Sequence, residues 1–113
     1  MSGVSKNPLI MIPRTRELPS RLAAALRAQG ASVVEITEAS NEHIQPDIVL
    51  IPAAAAVKIA LPTLDGLSYR PTVLAMGPRS AAAAEAVGWQ PTAIAKEPTL
   101  EAFIALVGEY LTG

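Results

Sequence analysis

Five short apolar runs, spaced along the chain by helix-forming or turn-forming stretches, constrain the fold more than any other feature. They are LIMI (9–12), SVVEI (32–36), DIVLI (47–51), PTVLAM (71–76) and TAIA (92–95). Runs that stay apolar, instead of alternating with polar residues, fit strands buried on both faces, as in a parallel sheet. Pro13 and Pro52 stop two of them, because proline cannot donate a ladder hydrogen bond.

The stretches between the runs read mostly as helices. LPSRLAAALRAQG (18–30) places Leu18, Leu22, Ala25, Leu26 and Gln29 at helical spacing, with Pro19 in the first turn and Gly30 just past the end. AAAAVKIALPTL (53–64) starts as a short helix that Pro62 should end or bend. Residues 78–87 form the next helix, with Gly88 after it, and the alanines at 81–84 suit close packing of helix on sheet. PTLEAFIALVGEYL (98–111) is the last helix, with Thr99 as N-cap and Glu101 complementing the helix dipole. Only TEASNEHIQP (37–46) is a polar link with at most one helical turn.

The order β-α-β-link-β-α-β-α-β-α predicts an α/β fold. Five strands in one domain favour a three-layer, five-stranded parallel sheet of flavodoxin-like order 2-1-3-4-5. Residues 1–113 are expected to form one domain, with 1–8 flexible. The strand–helix–strand similarity along the chain is the shared grammar of βαβ units and not a solenoid repeat.

Composition narrows the function. The chain has no cysteine, which removes disulfides, thiolate catalysis and cysteine-ligated metals. His43 is the only histidine and sits in the polar link, where a solvated role is expected. A net charge of −1 with little clustering of Lys and Arg gives no nucleic-acid footprint. No apolar run is long enough for a bilayer, and MSGVSK lacks the apolar core of a signal peptide, so a cytoplasmic protein without membrane partners is expected. Only 4% of residues are aromatic, so the few large side chains matter. Trp89, after a helix-ending glycine, is expected to pack back on the helix end.

In an open parallel sheet, ligands bind beyond the carboxyl ends of the strands. That places Arg14 and Arg16 after the first strand, Ala53 and Ala54 after the third, and Gly77, Arg79 and Ser80 after the fourth. Guanidinium forks, a hydroxyl and helix N-termini together make a cradle for carboxylate or phosphate. The same residues also fit an ordinary solvated strand end. There is no GxGxxG and no GxxxxGK[ST], hence no standard dinucleotide or P-loop site. No paired acids follow the first strand, and one histidine in a polar link does not make a Ser-His-Asp triad. Asp47 reads as the residue that opens a strand, and Asp65 as part of an Asp-Gly turn.

LIMIPRTRELPSRLAAALRAQGASVVEI, DIVLIPAAAAV and VLAMGPRSAAAAEAVGWQPTAIAKEPTLEAFIALV, in that order, resemble segments of the uroporphyrinogen-III synthase family. Arg14 falls at the arginine of the family's opening turn, and Gly77, Pro78 and Ser80 match a Gly-Pro-x-Thr helix start with serine for threonine. The resemblance implies a lyase of tetrapyrrole biosynthesis that closes hydroxymethylbilane into a ring, inverts the last pyrrole and needs no cofactor or metal. Family members have two α/β lobes with the substrate cleft between them. This chain resembles one lobe, with residues 37–46 replacing the other.

Two departures bear on activity. The family's Thr-Ser turn after the third strand has become Pro52-Ala53-Ala54-Ala55, and the tyrosine often implicated in the family belongs to the absent lobe. The resemblance therefore implies an isolated or engineered lobe with half a cleft, no assigned catalytic residue and little or no activity alone. Arg14, Arg16, Ala53, Ala54, Gly77, Arg79 and Ser80 are the candidate substrate-binding residues, and tetrapyrrole or another polycarboxylate is the expected partner. A monomer is expected. The alternatives are a polyanion-binding module and a synthase assembled from a dimer of lobes.

Overall fold

A computed structural model describes residues 8–14, 21–37 and 44–112, apart from the Thr112 side chain. Arg16, His43, most of the 1–8 and 37–46 segments, and the start of the first helix lie outside the described residues. The elements follow in the order β1 (Leu9–Pro13), α1 (Arg21–Ala28), β2 (Ser32–Ile36), β3 (Ile48–Ile51), α2 (Ala56–Asp65), β4 (Thr72–Ala75), α3 (Pro78–Ala86), β5 (Ala93–Ile94) and α4 (Leu100–Thr112).

The five strands are parallel and ordered β2-β1-β3-β4-β5, the flavodoxin-like arrangement expected from the sequence. Strands β1 to β4 each feed two cores, because successive side chains point to opposite faces. Ile10, Ile12, Ile48, Leu50 and Leu74 join Leu22, Leu26, Phe103 and Val107, so α1 and α4 cover one face. Met11, Val49, Ile51 and Val73 join Val57, Ala60, Leu64 and Ala84, so α2 and α3 cover the other. Burial on both sides is why these strands lack polar alternation.

Helix ends follow local chemistry. Gly30 and Gly88 take φ of +92° and +87°, the left-handed region that glycine enters without a Cβ penalty. Ala31 N–H donates to the Leu26 carbonyl at 3.3 Å and Gly30 N–H to that of Arg27 at 3.0 Å. The end of α3 repeats this, with Trp89 N–H to Ala84 at 2.9 Å and Gly88 N–H to Glu85 at 3.0 Å. These paired bonds satisfy carbonyls that a helix end otherwise leaves orphaned. Trp89 packs half-buried against the α2/α3 core, as expected. Thr99 caps α4, its Oγ1 accepting from Ala102 N–H at 3.2 Å.

Pro13 ends β1 as expected, as its last residue and in register with Ile36, while one other boundary differs. Pro62 does not end α2, which continues to Asp65. Proline removes one helical hydrogen bond there, but Pro62 is exposed, and Leu64, 2% exposed, anchors the last turn in the core.

Candidate functional site

The order of strands reverses direction between β1 and β3, so the carboxyl ends of those strands and their neighbour β4 are where this architecture places ligands. Ile51 of β3 is in register with Ala75 of β4. Ala53 and Gly77 each lie two residues past that last pair, in the chain's exits from the two strands. Arg79 and Ser80 follow on the first turn of α3.

Among the described residues, that turn is the main group of N–H donors at this end. Gly77 is the N-cap, and no side chain caps the helix. Pro78 has no N–H, and Ala81 N–H bonds back to Gly77 at 3.0 Å. The N–H groups of Arg79 and Ser80 thus open the helix without an intrahelical acceptor, at the positive end of its dipole. Arg79 is exposed, whereas Ser80 is buried at 4% exposure. The α2 N-terminus is less generous. Ala53 and Ala54 carbonyls already accept from Ala56 at 3.0 Å and Val57 at 3.2 Å, and Ala55 offers no capping side chain.

Two of the expected residues are committed within the fold. Arg14 N–H donates to Ile36 at 2.7 Å, and its guanidinium pairs with Glu35 at 2.5 Å. Glu35 belongs to β2, so the pair draws Arg14 towards β2 and away from the β1/β3 crevice. Gly77 leaves room, but the room is taken by the chain itself. A Cβ there would stand 3.1 Å from the Pro98 Cβ, in the loop between β5 and α4. Gly77 is extended, with φ of −162°, so close approach and not backbone conformation is what favours glycine. Arg16 cannot be placed, being outside the described residues.

The opposite, amino-terminal end of the sheet holds an arrangement that sequence reasoning missed. Asp47 N–H donates to Leu9 at 2.9 Å, while its carboxylate accepts from Leu9 N–H at 2.8 Å, tying β3 to β1. The Tyr69 hydroxyl donates to the Pro46 carbonyl at 2.8 Å. Arg70 lies over the Trp89 ring, 4.9 Å from its centroid, and donates to Gly88 at 3.4 Å. These partners are 18 to 38 residues apart, so no short motif announces them.

Burial, and secondarily the negative charge of Asp47, raise the Tyr69 phenol above its ordinary pKa. The sign follows from linkage. The unfolded chain releases this proton at lower pH than the folded one, so Tyr69 supports folding below its ordinary pKa and loses that support as pH rises through the raised value. Urea titrations between about pH 8 and pH 11 should show stability falling faster in the parent than in Tyr69→Phe, because phenylalanine has no proton to release. Parallel curves would show that the environment does not distinguish the protonated phenol.

Among the described residues, no group of three or more His, Asp or Glu side chains is placed to hold a metal, and no helix is long and apolar enough to cross a membrane. No protein-family model matches the sequence, and no curated protein matches it. Among solved structures, uroporphyrinogen-III synthetase from Helicobacter pylori 26695 is similar over 90% of this chain, with a TM-score of 0.50 and 23% identity. The similarity covers 53% of that chain, so the present chain spans about half its length. What the comparison carries is architecture: this five-stranded α/β unit is similar to a single lobe of that fold.

Proposed function

We propose that this chain is a uroporphyrinogen-III-synthase-like lobe that binds tetrapyrrole carboxylates weakly and does not by itself close the ring. The observation that carries this reading is the asymmetry of coverage, nearly all of this chain against about half of the synthetase. Arg79 and the first N–H groups of α3 supply donors for a carboxylate. Pairing of Arg14 with Glu35 and the alanines after β3 leave few further donors. Cyclising a long flexible chain depends on holding its two ends together and excluding water, and an open lobe does neither.

The test is an amide NMR titration with uroporphyrin III, run beside an assay of hydroxymethylbilane conversion. Binding with Kd on the order of 0.1–1 mM is expected, with shifts centred on residues 79–81. Arg79→Ala should weaken it about fivefold, the effect of losing one charge-assisted bond at an exposed site. The type III isomer should not form above background. Catalysis by dilute monomer would refute inactivity, activity rising with protein concentration would indicate assembly of lobes, and an unmoved spectrum would remove the ligand.

A further inference from the structure

β2 is an outer strand of the sheet, and its five residues run in unbroken register with β1. Ser32 N–H donates to the Pro8 carbonyl at 3.1 Å, and the Ile36 carbonyl accepts from Arg14 N–H at 2.7 Å, so Ser32, Val34 and Ile36 turn their backbone groups to β1. Val33 and Glu35 therefore turn theirs outward. The Val33 carbonyl accordingly accepts from the Arg27 guanidinium at 3.2 Å, and among the described residues the other outward groups of this pair have no partner. β2 carries no proline, lysine or bulge, the usual guards of an exposed edge. The opposite outer strand, β5, has only two residues.

We propose that β2 is the contact strand of a weak symmetric homodimer, in which two copies of this chain pair β2 antiparallel about Val34 and join their sheets edge to edge. The edge is complementary to itself. Pairing about Val34 sets Val33 opposite Glu35 of the second copy, and these are the residues whose N–H and C=O groups point outward, so each N–H meets a carbonyl. Val34 then lies against Val34 of the second copy, on the face where its half-buried side chain packs beside the α2/α3 core. Charge fits as well. Glu35 faces Val33 and not itself, so like charges are not opposed. Val33 packs on the α1/α4 face, and Glu35, two residues on, shares that face. Arg27, exposed at the end of α1, thus stands beside the incoming Glu35 carboxylate. The incoming N–H takes the Val33 carbonyl, and the guanidinium turns to that carboxylate; within the chain no carboxylate pairs with Arg27 among the described residues. The two-fold axis points the carboxyl ends of the two sheets in opposite directions. This dimer therefore closes no cleft between copies and stands independently of the tetrapyrrole reading.

The experiment follows the full chain by sedimentation equilibrium and amide hydrogen exchange from about 10 µM to about 2 mM. A dimer with Kd on the order of 0.1 mM is expected, as befits a small interface. The Val33 and Glu35 amides should exchange about fivefold more slowly at the top of the range, while Val34, bonded to β1 in both states, should not change. Arg27→Glu and Glu35→Arg should each weaken association about tenfold. Their equimolar mixture should recover it, because only the mixed pair sets opposite charges together at both contacts. Should Glu35→Arg lose the dispersed amide spectrum of the folded chain, Val34→Lys decides: two ammonium groups at the two-fold axis should leave no measurable dimer. A strict monomer would overturn the proposal. So would Val33 and Glu35 amides already protected when dilute, which would mean that the chain itself covers the edge. Protection arising at residues 93–94 instead, a mixture no tighter than its components, or a dimer indifferent to Val34→Lys would do the same.

Discussion

Phe103→Ala should lower the unfolding free energy by about 3–5 kcal/mol, the range for truncating a buried aromatic side chain. Phe103 is fully buried and is the only phenylalanine in the chain. It brings α4 into the same core as Leu22 and Leu26 of α1 and Leu74 of β4. The surrounding strands are fixed by their ladders, so the space left behind cannot collapse freely. A domain of this size commonly has only about 5–15 kcal/mol in total, so roughly a fifth or more of the stability is at stake. Phe103→Leu fills most of the volume and should lose less than about 1.5 kcal/mol. Tyr110→Ala, on the same helix but 38% exposed, should stay within about 0.5 kcal/mol. The Arg21–Glu101 pair that bridges α1 and α4 is mostly solvated at 3.5 Å and adds little, so core packing and not charge must hold α4 down. Urea unfolding of the three variants checks this. A Phe103→Ala loss no larger than that of Tyr110→Ala would mean that α4 is not docked through Phe103.

What could be read from the sequence was local or periodic. The uninterrupted apolar runs mark strands because burial on both faces leaves no place for a polar residue. Gly30, Gly88 and Thr99 act through bonds that span only a few residues, so their roles are visible in the chain itself. Pro62 misled because the local rule is strict, while the burial of Leu64 that carries α2 past it is a tertiary fact. The neighbours of the candidate site residues were hidden for the same reason. An arginine after a strand looks available until Glu35, 21 residues away, is found beside it. A glycine after a strand looks open to a ligand until Pro98 is found against it. The Arg70–Trp89 stack is equally non-local: Trp89 could be expected to pack, but nothing nearby in sequence names its cation.

The same chemical change should have opposite signs at two glycines. Gly66 ends α2 with φ of −87°, and a Cβ there would meet only backbone oxygens at 3.6 and 3.7 Å, ordinary contact. Gly66→Ala should therefore stabilise by about 0.4–1 kcal/mol, because alanine restricts the unfolded chain and strains nothing in the folded one. Gly88 has open space around its Cα but a φ of +87°. Crowding is not its constraint; backbone conformation is. The bonds of Gly88 to Glu85 and of Trp89 to Ala84 hold the turn in that conformation, and Trp89 is anchored in the core, so the backbone cannot relax without releasing the indole. Gly88→Ala should cost about 1 kcal/mol, and the β-branched Gly88→Val about 2 kcal/mol or more. The two effects separate Gly66→Ala from Gly88→Val by roughly 3 kcal/mol, well outside the error of denaturant midpoints. Trp89 fluorescence adds a readout, since Gly88→Val should change it while the protein remains folded, and Gly66→Ala should not. If both glycines tolerate alanine equally, the α3 end does not rely on the left-handed turn, and the placement of Trp89 beneath Arg70 loses its structural cause.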